Sequence, residues 1–330
     1  MSHVFGPVPS RRLGRSLGID LIPHKTCSFD CIYCQVGRTT AKTLERREWV
    51  PLEAVLADLG PRLASRPDYI TLSGSGEPTL YSRIGELIDA IRTMTDIPIA
   101  VLTNGSLLWR PEVRQDLKDA SLVVPSLDAG DAAMYEAVNR PHPDLDFERV
   151  VDGLAAFRQE FTGQYWLEVM LLAGHTAIEA EVRKIAALVE RIGPDRVQIN
   201  TATRPTAEPF AHAAMPARLR ALATLFSCPV DVIEDYDHRK THTVLSAADR
   251  TSVRELIRRR PCTVEDIATA LGFHRLEVIK LLGGLQDEGI VGRCRAGGRV
   301  FYFAVPEGSS PKPPSSRARK TRGKSHDHAR

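Results

Sequence analysis

The sequence predicts an α/β protein: an open, partial (β/α)6 TIM-like barrel, followed by a small winged helix-turn-helix domain and a disordered basic tail. Three observations support this architecture. Apolar runs alternate with helical patterns up to about residue 237, a helix-rich segment then ends in two strands around a glycine pair, and the last residues lack any apolar period. The predicted boundaries are 1–237 for the barrel, 238–248 for a linker, 249–305 for the winged helix and 306–330 for the tail.

Continuous, β-branched apolar runs predict the buried parallel strands of the barrel. These runs lie at 17–22, 69–73, 97–103, 122–126, 166–171 and 197–200. Helical periodicity between them predicts helices at 51–63, 84–94, 111–119 and 182–192. Six βα units in series build a parallel sheet with helices outside it, whereas a complete TIM barrel needs eight. We therefore expect a barrel that does not close.

The composition is that of a globular protein with a buried core. Hydrophobic residues make up 43% of the chain and charged residues 26%. The apolar runs are too short to cross a bilayer, and the N-terminus lacks the basic start and apolar run of a secretory signal. We therefore expect a cytoplasmic protein with no membrane contact. The six cysteines should stay reduced there, so clustered thiols predict metal ligands rather than disulfides.

The charge is distributed unevenly along the chain. Residues 1–249 carry 27 basic and 33 acidic side chains, residues 250–305 carry 10 and 6, and residues 306–330 carry 7 and 2. A mildly acidic body thus precedes a basic C-terminal third, which indicates a polyanionic partner near that end. A solvated tail that only aids solubility explains the same asymmetry.

The C-terminal segment has the element order of a winged helix. Thr263 and Asp266 have the spacing of a capping box, and Gly297-Gly298 marks the turn of the wing. Four apolar side chains of the third helix, 274–288, are predicted to share one face: Leu276, Ile279, Leu282 and Leu285. Such a helix often reads a nucleic-acid groove, but winged helices also dock proteins. The predicted nucleic-acid contacts are His274, Arg275, Lys280, Arg295 and Arg299, with phosphate contacts added by the tail.

Three cysteines with C-x3-C-x2-C spacing follow the first predicted strand: Cys27, Cys31 and Cys34. Three thiolates on one short loop can hold three corners of a cubane [4Fe–4S] cluster, which leaves one iron open to a small molecule. Zinc bound by these cysteines and His24 is the alternative, but no second short motif lies nearby. Single buried thiols are expected at the remaining cysteines, Cys228, Cys262 and Cys294.

This spacing, with the aromatic Tyr33 directly before the last cysteine, resembles the signature of the radical S-adenosylmethionine (SAM) superfamily. The resemblance implies that the amino and carboxylate groups of SAM bind the open iron. One-electron reduction then splits the sulfonium and releases a 5′-deoxyadenosyl radical, which abstracts a hydrogen from the substrate. An electron donor such as flavodoxin or ferredoxin is implied as a partner.

Supporting motifs follow the later strands. The segment Ser75-Gly76-Glu77-Pro78 resembles the superfamily's Gly-Gly-Glu-Pro segment, with serine in the first glycine position, although a tight turn would use the same residues. Polar residues after the third, fourth and sixth strands face the usual mouth of a barrel. The resemblance implies SAM contacts from Tyr33, Ser75, Gly76, Glu77, Asn104, Ser126, Asp128 and Asn200.

Two further segments, 6–18 and 200–205, resemble one branch of bacterial and archaeal radical SAM proteins that is related to the wyosine-forming tRNA enzymes. Those tRNA enzymes use a second cluster held by cysteines upstream of the radical motif. This chain has no cysteine before Cys27, so the resemblance does not extend to that second cluster.

The remaining polar positions near strand ends are substrate candidates: Arg11, Arg12, Arg15, Asn139, Arg140 and Glu168. Arginine recognises phosphate or carboxylate through its planar fork, although each of these side chains could instead form a surface ion pair. Three functions fit the sequence. The chain is a radical SAM enzyme acting on RNA or a nucleotide-like substrate, a radical SAM enzyme on a peptide or small molecule with the winged helix as a docking module, or a cluster-containing DNA-binding regulator.

Overall fold

A computed structural model describes residues 2–233, 250–273 and 275–305. The predicted linker and tail, and the candidate His274, lie outside the described residues. None of the helices within the described ranges is long and apolar enough to cross a membrane.

The strands of the described residues are β1 (Val4–Ser10), β2 (Gly14–Asp20), β3 (Thr26–Cys27), β4 (Ala41–Lys42), β5 (Tyr69–Ser73), β6 (Ile99–Thr103), β7 (Leu122–Pro125), β8 (Gln164–Met170), β9 (Leu172–Ala173), β10 (Arg196–Asn200), β11 (His212–Ala213), β12 (Val230–Val232), β13 (Val291–Ala296) and β14 (Arg299–Ala304). The helices are α1 (Leu52–Leu59), α2 (Ile84–Met94), α3 (Pro111–Leu117), α4 (Ala132–Val138), α5 (Phe147–Glu160), α6 (Glu179–Ile192), α7 (Pro216–Ala223), α8 (Arg250–Arg259), α9 (Val264–Leu271) and α10 (Arg275–Asp287). Short 3-10 turns lie at Gly60–Ser65 and Pro78–Leu80.

An eight-stranded open sheet forms the main body, in the order β1-β2-β5-β6-β7-β8-β10-β12. Every neighbouring pair from β2 to β12 is parallel, whereas β1 pairs antiparallel with β2. The six predicted strands are present, and the prediction of an open parallel sheet is confirmed. The prediction missed β1 and β12, so the sheet is wider than expected at both edges.

The barrel core lies between the sheet and its outer helices. On α2, Ile84, Leu87, Ile88 and Ile91 are fully buried at helical spacing. They belong to one cluster with the inward side chains of β2, β5 and β6. This cluster fixes the strand positions, and the carboxyl ends of the parallel strands then carry the polar loops at one edge.

Three helices and a hairpin form what we call the C-terminal unit, residues 250–273 and 275–305. The predicted capping box is confirmed, because Asp266 N donates to Thr263 Oγ1 and Thr263 N donates to the Asp266 carboxylate, both at 3.0 Å. The hairpin β13–β14 turns at Gly297 and Gly298, whose φ values are +54° and +76°. Both residues thus have the positive φ that a two-residue hairpin turn favours.

The buried face of α10 differs from the predicted one. Val278, Leu282 and Leu285 are buried, whereas Leu276 is 60% and Ile279 43% exposed. The sequence places apolar side chains around more than half of this helix, so spacing alone did not identify the face that packs. Leu276 and Ile279 instead lie on the outer surface of the C-terminal unit.

The C-terminal unit docks on β1 of the barrel. Val8 is buried in the same cluster as Ile267 and Leu282, and Phe5 packs against that cluster. The Arg259 guanidinium lies over the Phe5 ring, 4.4 Å from its centroid. Arg259 also donates to the Ser2 carbonyl at 3.2 Å. The two parts of the chain therefore share one hydrophobic cluster.

A pair of helical glycines should respond oppositely to alanine. A Cβ on Gly153 in α5 would lie 2.3 Å from Trp109 N, whereas one on Gly283 in α10 would meet nothing within 4 Å. We expect Gly153→Ala to destabilise the protein by about 1–3 kcal/mol through overpacking. Gly283→Ala should stabilise it by about 0.5–1 kcal/mol through helix propensity. Denaturant unfolding followed by circular dichroism measures both, and equal effects would contradict the packing assigned to α5.

Asp266 should make stability pH-dependent. Burial raises the pKa of this carboxyl, but Arg204, 3.4 Å away, and the Thr263 hydrogen bonds lower it more, so its pKa lies below the ordinary value. The charged Asp266 carboxylate therefore stabilises the folded state fully above its unfolded pKa of about 4. This contribution to the free energy of unfolding is lost as the pH falls through the lower pKa of the folded state.

We expect Asp266→Asn to cost about 1–2 kcal/mol at pH 7 and progressively less below pH 4. The exposed Asp287 on α10 supplies the control, since Asp287→Asn should change little at either pH. Unfolding curves at both pH values measure the difference. A cost of Asp266→Asn that does not change with pH would contradict the charged role of this carboxylate.

Candidate active site

Two apolar side chains anchor the cysteine loop in the core. Phe29 is buried, and its ring meets the Tyr135 ring edge-on with the centroids 5.4 Å apart. Ile32 is fully buried, and its backbone N donates to the Val138 carbonyl at 2.9 Å. These inward side chains leave the three thiols half-buried. Cys27, Cys31 and Cys34 line a recess of about 90 Å³, which we call the cysteine recess, opposite Gly74, Ser75 and Gly76.

The electrostatics of the recess suit a metal cluster. Burial raises the pKa of the Cys27 thiol to about 12, with a further contribution from the Glu77 carboxylate. Burial likewise raises the pKa of Cys31 and of Cys34. The thiols would therefore stay neutral unless positive charge enters the recess, and iron ions supply such charge. Three soft sulfur donors around one recess fit a [4Fe–4S] cluster.

The zinc alternative gains no support from the geometry. His24 is exposed on the loop. Within the described part of the chain, no three His, Cys, Asp or Glu side chains converge where one metal ion could bind them together. The thiols of a cubane bind separate irons and need not converge on one point.

Close contact with the loop after β5 forms the opposite wall of the recess. Lys25 N donates to the Ser75 carbonyl at 2.8 Å, and Glu77 N donates to the Thr26 carbonyl at 3.2 Å. A Cβ on Gly76 would lie 1.9 Å from the Thr26 carbonyl oxygen, so only glycine allows this approach. The sequence motif at this position thus has a packing role as well as any ligand role.

Ser75, which departs from the glycine of the resembled motif, has a partner of its own. Its hydroxyl donates to Asp20 Oδ2 at 2.7 Å, and its backbone N donates to Asp20 Oδ1 at 3.1 Å. Asp20 ends β2, the strand beside β5. The serine therefore fixes its loop to the neighbouring strand end.

Glu77 is a buried carboxylate that joins two strand ends. Its Oε1 accepts from Thr79 N at 3.0 Å, from Thr79 Oγ1 at 2.7 Å and from Thr103 Oγ1 at 2.5 Å. Its Oε2 accepts from Asn104 N at 2.7 Å. Burial raises the pKa of Glu77, and these hydrogen bonds offset part of that rise. The carboxylate is thus occupied by protein groups and holds Asn104 in place.

Two amides approach the cysteine sulfurs. Asn104 Nδ2 donates to Ser28 Oγ at 2.8 Å and lies 3.5 Å from Cys27 Sγ. Asn139 Nδ2 donates to Asp128 Oδ2 at 2.7 Å and lies 3.6 Å from Cys31 Sγ. Amide donors beside ligating sulfurs are a recognised means of tuning an iron–sulfur centre.

Asp128 orients its side of the recess. Its carboxylate accepts from the Tyr33 hydroxyl and from Met170 N, the latter at 2.9 Å. Burial raises the pKa of Asp128 to about 6, and hydrogen bonds from Tyr33 and Asn139 limit that rise. The hydroxyl of Tyr33 is therefore directed to Asp128, while the side chain lines the adjoining cavity.

A larger cavity of about 440 Å³, which we call the chamber, adjoins the cysteine recess. Cys34, Val36, Gly74 and Gly76 line both. A buried polar network crosses the chamber wall. Arg12 donates to Glu168 at 2.5 Å and to Gln198 at 3.3 Å, and Asn200 Nδ2 donates to Glu168 Oε1 at 3.0 Å. Burial raises the pKa of Glu168, but Arg12 and Asn200 lower it more, so the carboxylate stays charged.

The predicted SAM residues divide into two layers. Four of them line the chamber: Tyr33, Gly76, Ser126 and Asn200. Ser75 lines the cysteine recess. Glu77, Asn104 and Asp128 line neither cavity and lie behind them, where they hydrogen-bond to the residues described above.

The substrate candidates divide as well. Arg11, Arg12 and Glu168 line the chamber. Arg15 is exposed at the amino end of β2 and donates to the Ser65 carbonyl at 3.2 Å. Asn139 is buried beside Cys31, and Arg140 pairs with Glu208 at 2.6 Å. The structure therefore brings only half of these candidates to the chamber, because proximity to a strand end does not fix where a side chain points.

The nucleic-acid candidates lie on different surfaces. Arg275, Lys280 and Arg295 are exposed, and Arg275 pairs with Glu265 at 3.0 Å. Arg299, at the start of β14, lines the chamber. Sequence reasoning missed Arg204, Arg259 and Arg260, which also line it. The tract Arg258-Arg259-Arg260 was a visible signal, but it resembles an ordinary solvated helix end.

Comparison with known proteins agrees with this site. The family model described as the radical SAM superfamily matches residues 21–189. A protein of Brachyspira hyodysenteriae described as GTPase Obg is 40% identical over 306 residues, which is 91% of this chain and 45% of that protein. A UPF0026 protein of Methanocaldococcus jannaschii is 41% identical over 214 residues, 64% of this chain and 66% of the relative. This chain thus spans less than half of the first relative and about two thirds of the second.

Among solved structures, a radical SAM methyltransferase from Sphaerobacter thermophilus is similar to this chain with a TM-score of 0.50. The two are 16% identical, and the match covers 66% of each chain. This level of likeness shows a shared fold. It agrees with the open parallel sheet described above.

The thiols of the cysteine recess should be required for iron binding. After anaerobic reconstitution with iron and sulfide, we expect about four irons per chain in the wild type and well under one in Cys31→Ala. The matched control is Cys228→Ala, which removes a half-buried thiol outside the recess and should keep the full iron content. Iron and sulfide analysis measures all three proteins. Equal iron in the two variants would exclude this loop as the cluster site.

Proposed function

We propose residue roles and a substrate class for this chain, which belongs to the radical SAM superfamily and is therefore an iron–sulfur enzyme that uses a [4Fe–4S] cluster and SAM. When bound and reduced, the cluster supplies the electron that cleaves SAM and yields a 5′-deoxyadenosyl radical. The chain itself must hold SAM, orient the substrate and keep water away from the radical.

The three thiolates of Cys27, Cys31 and Cys34 would hold three irons of the cluster. Asn104 and Asn139 would direct amide N–H groups toward two of these sulfurs, at 3.5 and 3.6 Å. Such donors reduce the negative charge on sulfur and so favour the reduced state. Glu77 and Asp128 would act on the site by positioning these two amides and Tyr33.

SAM would lie where the recess meets the chamber. Gly76 lines both cavities, and Ser126, Asn200 and Tyr33 line the chamber, where they would contact the ligand. The backbone of the loop from Gly74 to Gly76 is held against Thr26 and Asp20, which supports a preformed cradle. The polar groups that would face SAM are therefore held by the protein before it binds.

We infer that the substrate is RNA or a nucleotide-like molecule. The observation that carries this inference is the position of Arg11 and Arg12 on the wall of the chamber that also contains Cys34. A substrate bound by these guanidinium groups would share one cavity with the cluster site. The resemblance of segments 6–18 and 200–205 to the branch related to wyosine-forming tRNA enzymes supports the same inference.

The C-terminal unit is proposed as a winged helix, on the order of its helices and its glycine-turned hairpin. Exposed Arg275, Lys280 and Arg295 support nucleic-acid binding by its outer face. The exposed Leu276 and Ile279 on α10 favour protein docking instead, because apolar side chains neither hydrogen-bond to phosphates nor neutralise them. A flavodoxin or ferredoxin as electron donor and a cytoplasmic location remain part of the proposal.

SAM cleavage tests the proposed function. The reconstituted and reduced wild type should release 5′-deoxyadenosine from SAM, and Cys31→Ala should release none. Cys228→Ala should behave as the wild type. A wild-type protein that binds iron but leaves SAM intact would contradict catalysis and favour the cluster-containing DNA-binding regulator, which salt-dependent DNA binding would then identify.

A further inference from the structure

We propose that the C-terminal unit completes the chamber and, together with the barrel, forms a binding site for a phosphate group of the substrate. This inference rests on the proposed function, since it assigns the chamber to substrate. This site is distinct from the proposed nucleic-acid contacts on the outer face of α10, because it lies between the barrel and the C-terminal unit.

The chamber has walls from both parts. The barrel contributes the hairpin between β1 and β2 and the ends of β8 and β10, and the C-terminal unit contributes Leu256, Arg259, Arg260, Asp266, Ala270, Arg299 and Phe301. The contacts of β1 with this unit, through Phe5 and Val8, place these side chains beside the barrel mouth. The chamber in this form therefore depends on the docked unit.

The charge of the chamber is strongly positive. Six arginines line it: Arg11, Arg12, Arg204, Arg259, Arg260 and Arg299. The only carboxylates among its described lining residues are Glu168 and Asp266. Glu168 pairs with Arg12, and Asp266 lies 3.4 Å from Arg204. Arg259 and Arg260 bring two further guanidinium groups to the chamber that attract an anion, and the focusing of charge in a cleft strengthens that attraction.

Arg259 has one buried donor, its Nε, without an acceptor among the described residues. Its terminal nitrogens donate to the carbonyls of Glu255, at 3.0 Å, and Ser2, at 3.2 Å. Its side chain is only 16% exposed and stacks on Phe5, and its nearest carboxylate oxygen, Asp20 Oδ2, is 4.0 Å from Nε. That distance is too long for a hydrogen bond, and buried Nε has no other acceptor among residues 2–233, 250–273 and 275–305. Burial also lowers the pKa of Arg259. A bound anion would supply the missing acceptor and offset the cost of burying the charge.

Arg260 provides a second donor group. It is half-buried in the chamber wall, and its guanidinium interacts with the Cys262 thiol and, through its charge, with Asp266. A guanidinium has five N–H donors, so these contacts leave donors for a ligand. The Nε of Arg259 and the remaining donors of the adjacent Arg260 suit a phosphate, whose oxygens accept several hydrogen bonds at once. A single carboxylate would leave part of this donor set unused.

The phosphate could belong to a small nucleotide or to an RNA backbone. A small phosphate ester would contact only the chamber, so its affinity would fall slowly with salt. An RNA strand would neutralise further basic groups outside the chamber and show a steeper salt dependence. Both sources share the same chamber contacts.

The test measures binding rather than turnover. The full chain, reconstituted with iron and sulfide and saturated with SAM, is titrated with pyrophosphate and, separately, with a single-stranded RNA 12-mer at several salt concentrations. We expect wild type to bind pyrophosphate and Arg260→Gln to bind it about tenfold more weakly. Arg259→Lys, which keeps the charge but removes the Nε donor, should also weaken binding. Arg254→Gln removes an exposed arginine of the same helix that is absent from the chamber, and should bind as the wild type.

Each outcome decides the proposal. Equal affinities for Arg260→Gln and Arg254→Gln, or no binding of either probe by wild type, would overturn it. If RNA binds with a steep salt dependence and Arg260→Gln weakens that binding, the phosphate belongs to RNA. If only pyrophosphate binds and its affinity depends weakly on salt, the phosphate belongs to a small ester. Release of 5′-deoxyadenosine by wild type in a parallel assay separates failure of this site from failure of the proposed function.

Discussion

The buried carboxylate of Glu77 is the interaction on which the geometry of the site depends. It accepts hydrogen bonds from Thr79, Thr103 and Asn104, and so joins the loop after β5 to the end of β6. Asn104, held in this way, reaches Ser28 and Cys27 of the cysteine loop. A charge buried without these donors would cost several kcal/mol. The fold therefore retains Glu77 only with its neighbours in their observed positions.

A second buried carboxylate repeats this arrangement on the other side of the recess. Asp128, after β7, binds Tyr33 and Asn139, and Asn139 approaches Cys31. Two cysteines thus each face an amide that a carboxylate orients. Ligand positions on an irregular loop acquire rigidity from strand ends in this way, because the strands are fixed by a continuous apolar core.

The sequence predicted the elements that depend on residues close together in the chain. The six central strands, the capping box of Thr263 and Asp266, and the glycine turn of the hairpin follow from short-range sequence. Strand β1 was missed because Gly6, Pro7 and Pro9 break its pattern, and β12 because it has only three residues. The cysteine spacing predicted three thiols at one site, and all three line the recess. The carboxylates and amides behind them come from the loops after β5, β6 and β7 and from the end of α4. Arg259 and Arg260 come from a separate part of the chain, so no single motif contained all of these groups.

Strand β1 connects the C-terminal unit to the loops around the cysteine recess. This strand pairs with β2, whose last residue, Asp20, holds Ser75 of the loop opposite the cysteines. Two side chains of β1 also contact the C-terminal unit: Val8 is buried in its hydrophobic cluster, and Phe5 packs against that cluster. Arg259 of that unit stacks on Phe5 and lies near the same Asp20. A shift of the C-terminal unit would therefore change the surroundings of the recess, because β1 and Asp20 connect the two.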